Sequence, residues 1–96
     1  MATVLDAIRV LLVEDDEEDY VVTRDLLAAQ EHARFDVEWC SDYDSALAAI
    51  HAQRHDVYLV DYRLGARTGL ELVSEGFAAQ PSAPVIALTG LGDYAV

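Results

Sequence analysis

Four short apolar runs recur along the chain, and the segments between them carry helical spacing. Ile8-Arg9-Val10-Leu11-Leu12-Val13 stops abruptly in the carboxylates Glu14, Asp15 and Asp16. An unbroken run such as Val10 to Val13 reads as a strand buried on both faces, as parallel-sheet strands are. Glu17 to Gln30 then fits a helix with Val22, Leu26 and Leu27 on one side. Acidic residues load its first turn, where negative charge complements the helix dipole. After the polar connector Glu31-His32-Ala33-Arg34, the stretch Phe35 to Cys40 alternates apolar and acidic residues. That period of two predicts a strand with one exposed face, at a sheet edge.

Ser41 and Asp44 have capping-box spacing, with Ser41 as the N-cap. Tyr43, Ala46, Leu47 and Ile50 follow on one helical face. His51 and His55 fall near the end of this helix, where an imidazole can meet the negative dipole end. Asp56 to Asp61 is a third strand, again central over Val57 to Val60, and Asp61 closes it with a carboxylate as Glu14 and Asp15 close the first. The loop Tyr62 to Arg67 leads to a second capping box, Thr68-Gly69-Leu70-Glu71. A helix carrying Leu70, Val73 and Phe77 inward runs from there until Gln80-Pro81 stops it. Pro84 to Thr89 is the fourth strand, and it turns at Gly90-Leu91-Gly92. A βαβαβαβ series winds into a parallel sheet with right-handed connections. With strand order 2-1-3-4 this is an α/β, flavodoxin-like arrangement whose winding reverses between strands one and three, the place where such sheets bind ligands.

Composition narrows the functions open to such a fold. The 96 residues suit one domain spanning 1–96, and a hydrophobic fraction of 53% excludes disorder. Eighteen acidic residues against six basic ones, all six of them Arg, give a formal net charge of −12. Nucleic acid and anionic membranes are therefore disfavoured as direct partners, and cations or basic protein surfaces are favoured. The single Cys40 has no intramolecular disulfide partner and reads as a small buried hydrophobe. Neither a signal peptide nor an apolar run of spanning length is visible, so a soluble cytoplasmic protein is expected.

Strand order 2-1-3-4 brings Glu14, Asp15 and Asp61 into one crevice, with Thr89 arriving from the next strand. Three carboxylates form a hard oxygen site suited to Mg2+. A carboxylate beside that ion can attack phosphorus to give an aspartyl phosphate, and a hydroxyl such as Thr89 can donate to a phosphoryl oxygen. A metal-assisted phosphoacceptor is the chemistry this pattern favours.

Three motifs now stand in order: Val-Leu-Leu-Val-Glu-Asp-Asp from Val10, Val-Tyr-Leu-Val-Asp-Tyr-Arg-Leu-Gly from Val57 with Thr68-Gly69-Leu70-Glu71-Leu72 behind it, and Pro-Val-Ile-Ala-Leu-Thr-Gly from Pro84. Together they span nearly the whole chain, which resembles a response-regulator receiver domain of two-component signalling, a CheY-like fold. The resemblance implies that Asp61 accepts a phosphoryl group from a sensor histidine kinase or a histidine phosphotransfer protein. It implies that Asp15 binds Mg2+ directly, Glu14 through the ion's waters, and Arg63 through its backbone carbonyl. It assigns the phosphoryl contacts to Thr89 and Gly90, and it implies no turnover of an external substrate. Asp16 reads as a helix-start residue.

Two departures accompany the resemblance. Gly65 stands where many members of the family carry proline. The family's fifth strand, last helix and phosphoryl-pairing lysine have no counterpart, so the domain reads as C-terminally truncated, and Arg67 is a poor copy of an ammonium. Strand four would then be an exposed edge through which two copies could pair as a homodimer. The alternative function is accordingly an interaction or dimerisation module with little or no phosphotransfer. A third reading, a metal-dependent phosphatase, is disfavoured because Tyr62 and Arg63 follow Asp61 where a second acid would be needed.

Overall fold

The computed structural model describes residues 7–78 and 83–88. Its elements are β1 (Ile8–Val13), α1 (Glu17–Ala28), β2 (Phe35–Cys40), α2 (Tyr43–His51), β3 (Val57–Asp61), the two-residue strands β4 (Arg63–Leu64) and β5 (Arg67–Thr68), α3 (Gly69–Gly76) and β6 (Val85–Leu88). Four strands form one parallel sheet in the order β2-β1-β3-β6, while β4 and β5 pair antiparallel as a separate ribbon. This is the predicted 2-1-3-4 order of a flavodoxin-like fold, with β6 as the fourth main strand. A fifth strand and a last helix are not among the described residues.

The unbroken apolar runs become the centre of the sheet. Val10 to Val13 are each at most 1% exposed, and Tyr58, Leu59 and Val60 are buried beside them. Alternate residues feed two cores. Leu11, Val13, Tyr58 and Val60 face α2 and α3, meeting Ala46, Ile50, Leu72 and Phe77. Val10, Leu12 and Leu59 face the other way, toward Tyr20 and Leu27 of α1. At the edge, β2 alternates between exposed acids and half-buried Phe35, Val37 and Trp39, as its period of two predicts. Cys40 is buried, and burial pushes its thiol pKa upward. Among the described residues no helix is long and apolar enough to cross a membrane.

Several local expectations shift. The N-cap of α2 is Asp42, not Ser41: its carboxylate accepts from the Ser45 amide at 2.8 Å and from the Ser45 hydroxyl at 2.9 Å. An aspartate that gains two donors outcompetes the neighbouring serine for the cap. Thr68 does cap α3, accepting from the Glu71 amide at 3.1 Å, but the Glu71 carboxylate turns to Arg67. In α3, Leu70 is 59% exposed and Leu72 takes the inward place. In α1 the inward residues are Tyr20 and Leu27, whereas Val22 and Leu26 are 58% and 62% exposed. Among the described residues α1 is the only helix on its side of the sheet, so its outer flank has nothing to pack on. His55 caps no helix end: it lies under the sheet with Nε2 2.7 Å from Glu38 Oε1 and its ring edge-on to Tyr58. His51 stays exposed in the last turn of α2.

The entry to α3 is set by one close approach. The Gly69 amide donates to the Tyr62 carbonyl at 2.6 Å, closing the loop that carries the ribbon. A Cβ at Gly69 would overlap the Asp61 carbonyl oxygen and stand 3.0 Å from Val60 Cγ1. Neither neighbour can give way, since one is backbone and the other is core. Gly69→Ala is therefore expected to destabilise the fold by about 1–3 kcal/mol through overpacking. Urea denaturation with an unchanged midpoint in that variant would contradict this account of the loop.

Candidate functional site

Sheet register builds the site before any side chain acts. Val13 stands opposite Val60 across the β1–β3 pair, so the residues that follow, Glu14 and Asp61, emerge side by side at the carboxyl edge. Glu14 is 5% exposed and Asp61 8%, while Asp15 is exposed. Glu14, Asp15 and Asp61 each offer a carboxylate oxygen, and these oxygens all lie within 4.8 Å of one another. The three predicted ligand side chains thus share one pocket.

Backbone contacts hold each carboxylate in place. The Glu14 amide donates to the Cys40 carbonyl at 3.0 Å, and the Glu14 carbonyl accepts the Trp39 indole N–H at 2.7 Å. The Glu14 carboxylate accepts from the Asp16 amide at 3.3 Å. Asp16 itself caps α1, accepting from the Glu18 and Asp19 amides, which bears out its reading as a helix-start residue. Asp15 Oδ2 reaches across the crevice to accept from the Gly65 amide at 3.1 Å. The Arg63 amide points at Asp61 Oδ1 from 3.4 Å, so Arg63 enters the site through its backbone. Thr89 and Gly90, the predicted phosphoryl contacts, lie outside the described residues.

Electrostatics at the cluster are one-sided. Burial, then the neighbouring Asp61, raises the Glu14 carboxyl from an ordinary 4.5 to about 8, and the Asp16 amide only partly offsets this. Asp19 is raised as well, first by desolvation and then by Asp16, Asp61 and Asp15. Arg67 does not bring its charge to Asp61. Its Nε lies 3.1 Å from Glu71 Oε2, and its guanidinium sits 3.6 Å from the centroid of the Tyr43 ring. Buried like charges of this kind are relieved by a proton or by a hard cation. The all-oxygen donor set, clustered in one pocket, fits Mg2+.

Two features of the site had no counterpart in the sequence reading. Gly65 has a φ of +64°, which proline cannot adopt, and it donates an N–H to Asp15 that proline lacks. Glycine at this position therefore touches the site directly through its backbone. The second is the Trp39 indole on the Glu14 carbonyl. Each contact has a backbone group as one partner, the Gly65 amide in the first and the Glu14 carbonyl in the second.

Comparison with known proteins agrees with this geometry. Residues 10–96 match the family model described as the response regulator receiver domain. The regulatory protein VanRB of Enterococcus faecalis is 34% identical over 87 residues, which is 91% of this chain and 38% of that protein. A CheY-like response regulator receiver domain protein from Methanospirillum hungatei superposes with a TM-score of 0.75 at 26% identity, covering 88% of this chain and 66% of that one. The non-phosphorylated HemR receiver domain from Leptospira biflexa gives a TM-score of 0.71 at 28% identity, covering 88% and 65%. The chain thus spans well under half the length of VanRB and about two thirds of the two structural relatives.

The raised Glu14 pKa has a testable sign. Between pH 4.5 and about 8 the unfolded chain ionises Glu14 while the folded one keeps it protonated, so metal-free stability falls as pH rises through that window and levels off above it. Mg2+ must displace the same proton, so its affinity rises with pH up to about 8. Thermal unfolding from pH 5 to 9 is expected to show stability falling with pH without Mg2+ and nearly level at saturating Mg2+, with the Glu14 contribution to the fall lost in Glu14→Gln. Parallel slopes would exclude Glu14 as the titrating group.

Proposed function

The chain belongs to the response regulator receiver family, and from that premise we propose that it receives a phosphoryl group on Asp61 from a histidine kinase or a histidine phosphotransfer protein. The observation that carries the reading is the convergence of Asp61 with Glu14 and Asp15 at the ends of two adjacent strands. Asp15 and Asp61 would hold Mg2+ directly, Glu14 would act through the ion's waters, and the Arg63 backbone carbonyl would complete the protein's share. When bound, the ion supplies positive charge against the phosphoryl oxygens.

The remaining work falls to the chain. An Asp61 carboxylate oxygen attacks the phosphorus of a phosphohistidine. The new O–P bond forms as the P–N bond breaks, and its electron pair returns to the donor's imidazole nitrogen. Asp61 is held at the rim of the pocket by the closed loop behind it, so its position changes little on reaction. Thr89 and Gly90, next along the chain from β6, are the residues we assign to the phosphoryl oxygens. The phosphoryl group stays on the chain until it is hydrolysed, so there is no turnover of an external substrate. A net charge of −12 favours a donor with a basic docking face. The alternative, a module that acts by self-association through the β6 edge, gives the acidic crevice no role.

Incubation with Mg2+ and a small-molecule acyl phosphate tests the proposal. Intact mass should rise by one phosphoryl group, and the gain should vanish in Asp61→Asn and without Mg2+. An undiminished gain in Asp61→Asn would move the acceptor elsewhere. No gain at all, together with a stable dimer by light scattering, would favour the self-association module.

A further inference from the structure

We propose that Trp39 is a positioning residue for the acidic site, its indole N–H fixing the Glu14 carbonyl and thereby the stance of the Glu14 and Asp15 carboxylates toward a divalent ion. This rests on the metal-binding reading above. Glu14 is the first residue past β1. Its amide still finds the Cys40 carbonyl of β2, the last backbone link between the two strands at this end. Beyond Cys40 the chain turns away into the Asp42 cap of α2, so the strand ladder stops short of the Glu14 carbonyl. The indole of Trp39 supplies a donor there at 2.7 Å. Both backbone groups of Glu14 are thus tied to the end of β2, one by main chain and one by side chain.

The indole is itself held. Tyr20 of α1 stacks on it with ring centroids 4.2 Å apart and planes 3° from parallel. The Arg24 guanidinium lies 5.4 Å from the Tyr20 ring centroid and is hydrogen-bonded to Asp25. The segment between Glu14 and Tyr20, which contains Asp15 and the Asp16 cap, is therefore pinned at both ends through a single aromatic side chain. An aromatic on this face of β2 would fill core whatever its edge did, and a buried indole usually finds some acceptor. What sets Trp39 apart is which acceptor it finds: the carbonyl of a residue whose carboxylate is 5% exposed and shares the crevice with Asp61. Groups that orient metal ligands from behind typically change affinity tenfold or more when removed.

Trp39 is the only tryptophan, so its indole N–H gives a single resonance in a proton–nitrogen correlation spectrum. Titration of the wild-type chain with Mg2+ is expected to move that resonance saturably, along the same isotherm that calorimetry records. Trp39→Phe keeps an aromatic ring for Tyr20 but loses the donor, and it should bind Mg2+ roughly tenfold more weakly. Val10→Ala, a core truncation in β1 four residues before Glu14, should lose stability yet keep wild-type affinity. Trp39→Phe binding as tightly as wild type would overturn the proposal. So would an indole resonance that stays fixed while the calorimetric signal saturates, a result that stands even where Trp39→Phe does not fold. A wild-type chain that releases no heat with Mg2+ and shows no resonance shift would instead refute the metal reading, and this inference with it.

Discussion

Glu14 and Asp61 repel each other in a place the sheet does not let them leave. Val13 opposite Val60 fixes the β1–β3 register, and a slip by one residue would turn the whole of Val10 to Val13 to the wrong faces. Each of those side chains contributes on the order of 1.5–3 kcal/mol by its burial. Register is therefore held far more strongly than the two carboxylates can oppose, and the cost surfaces as a Glu14 carboxyl that, desolvated by burial and beside Asp61, keeps its proton to about pH 8. The destabilising contact is confined to the carboxyl edge, while the stabilising ones lie deeper along the same strands.

The far wall of the crevice is held by a separate network. Arg67 pairs with Glu71 and Glu75 and stacks on Tyr43, whose hydroxyl donates to Glu75 Oε1 at 2.6 Å. This joins the β4–β5 ribbon to α2 and α3, and Leu64, 5% exposed, anchors it in the core. Gly65 sits at the ribbon's tip, where its amide meets Asp15. Arg67 thus acts as a clamp on the loop that faces the acids rather than as a cation within the site.

How much of this was legible in the sequence depends on what kind of group makes each contact. The central strands were legible because a run such as Val10 to Val13 has one stable environment, and the edge because Phe35 to Cys40 alternates. Carboxylates at strand ends were legible because topology alone then places them together. The inward face of α1 was legible only at Leu27: Val22 and Leu26 belong to the same helical stripe but stay exposed, while Tyr20 meets the sheet, a choice that the docking angle of the helix decides. The Asp42 cap was missed because two adjacent residues can both cap and the choice rests on where Ser45 falls. The contacts of Trp39 and Gly65 with the site run to or from backbone groups, which a pattern of side chains does not point to.

Stability and chemistry at this site read the same charge balance. Any ligand that binds the folded acid cluster and not the unfolded chain stabilises the fold in proportion to its occupancy. A hard cation would do so by offsetting the desolvation of Glu14 and its like-charge neighbour Asp61, and in the proposed transfer to Asp61 the same ion would face the phosphoryl oxygens. An aspartyl phosphate replaces one carboxylate charge with a more highly charged group at the same edge. The corner that holds Glu14 and Asp15 must then answer to a different electrostatic load without any change in register. Because the register of β1 is fixed, a change of charge at Asp61 would be met first by the turn between Glu14 and α1 and by the ribbon that reaches Asp15 through Gly65, the segments in hydrogen-bond contact with the acids. The turn is held by the Asp16 cap and the Trp39 indole, and the ribbon by Leu64 and the Arg67 network, rather than by the ladder of the parallel sheet.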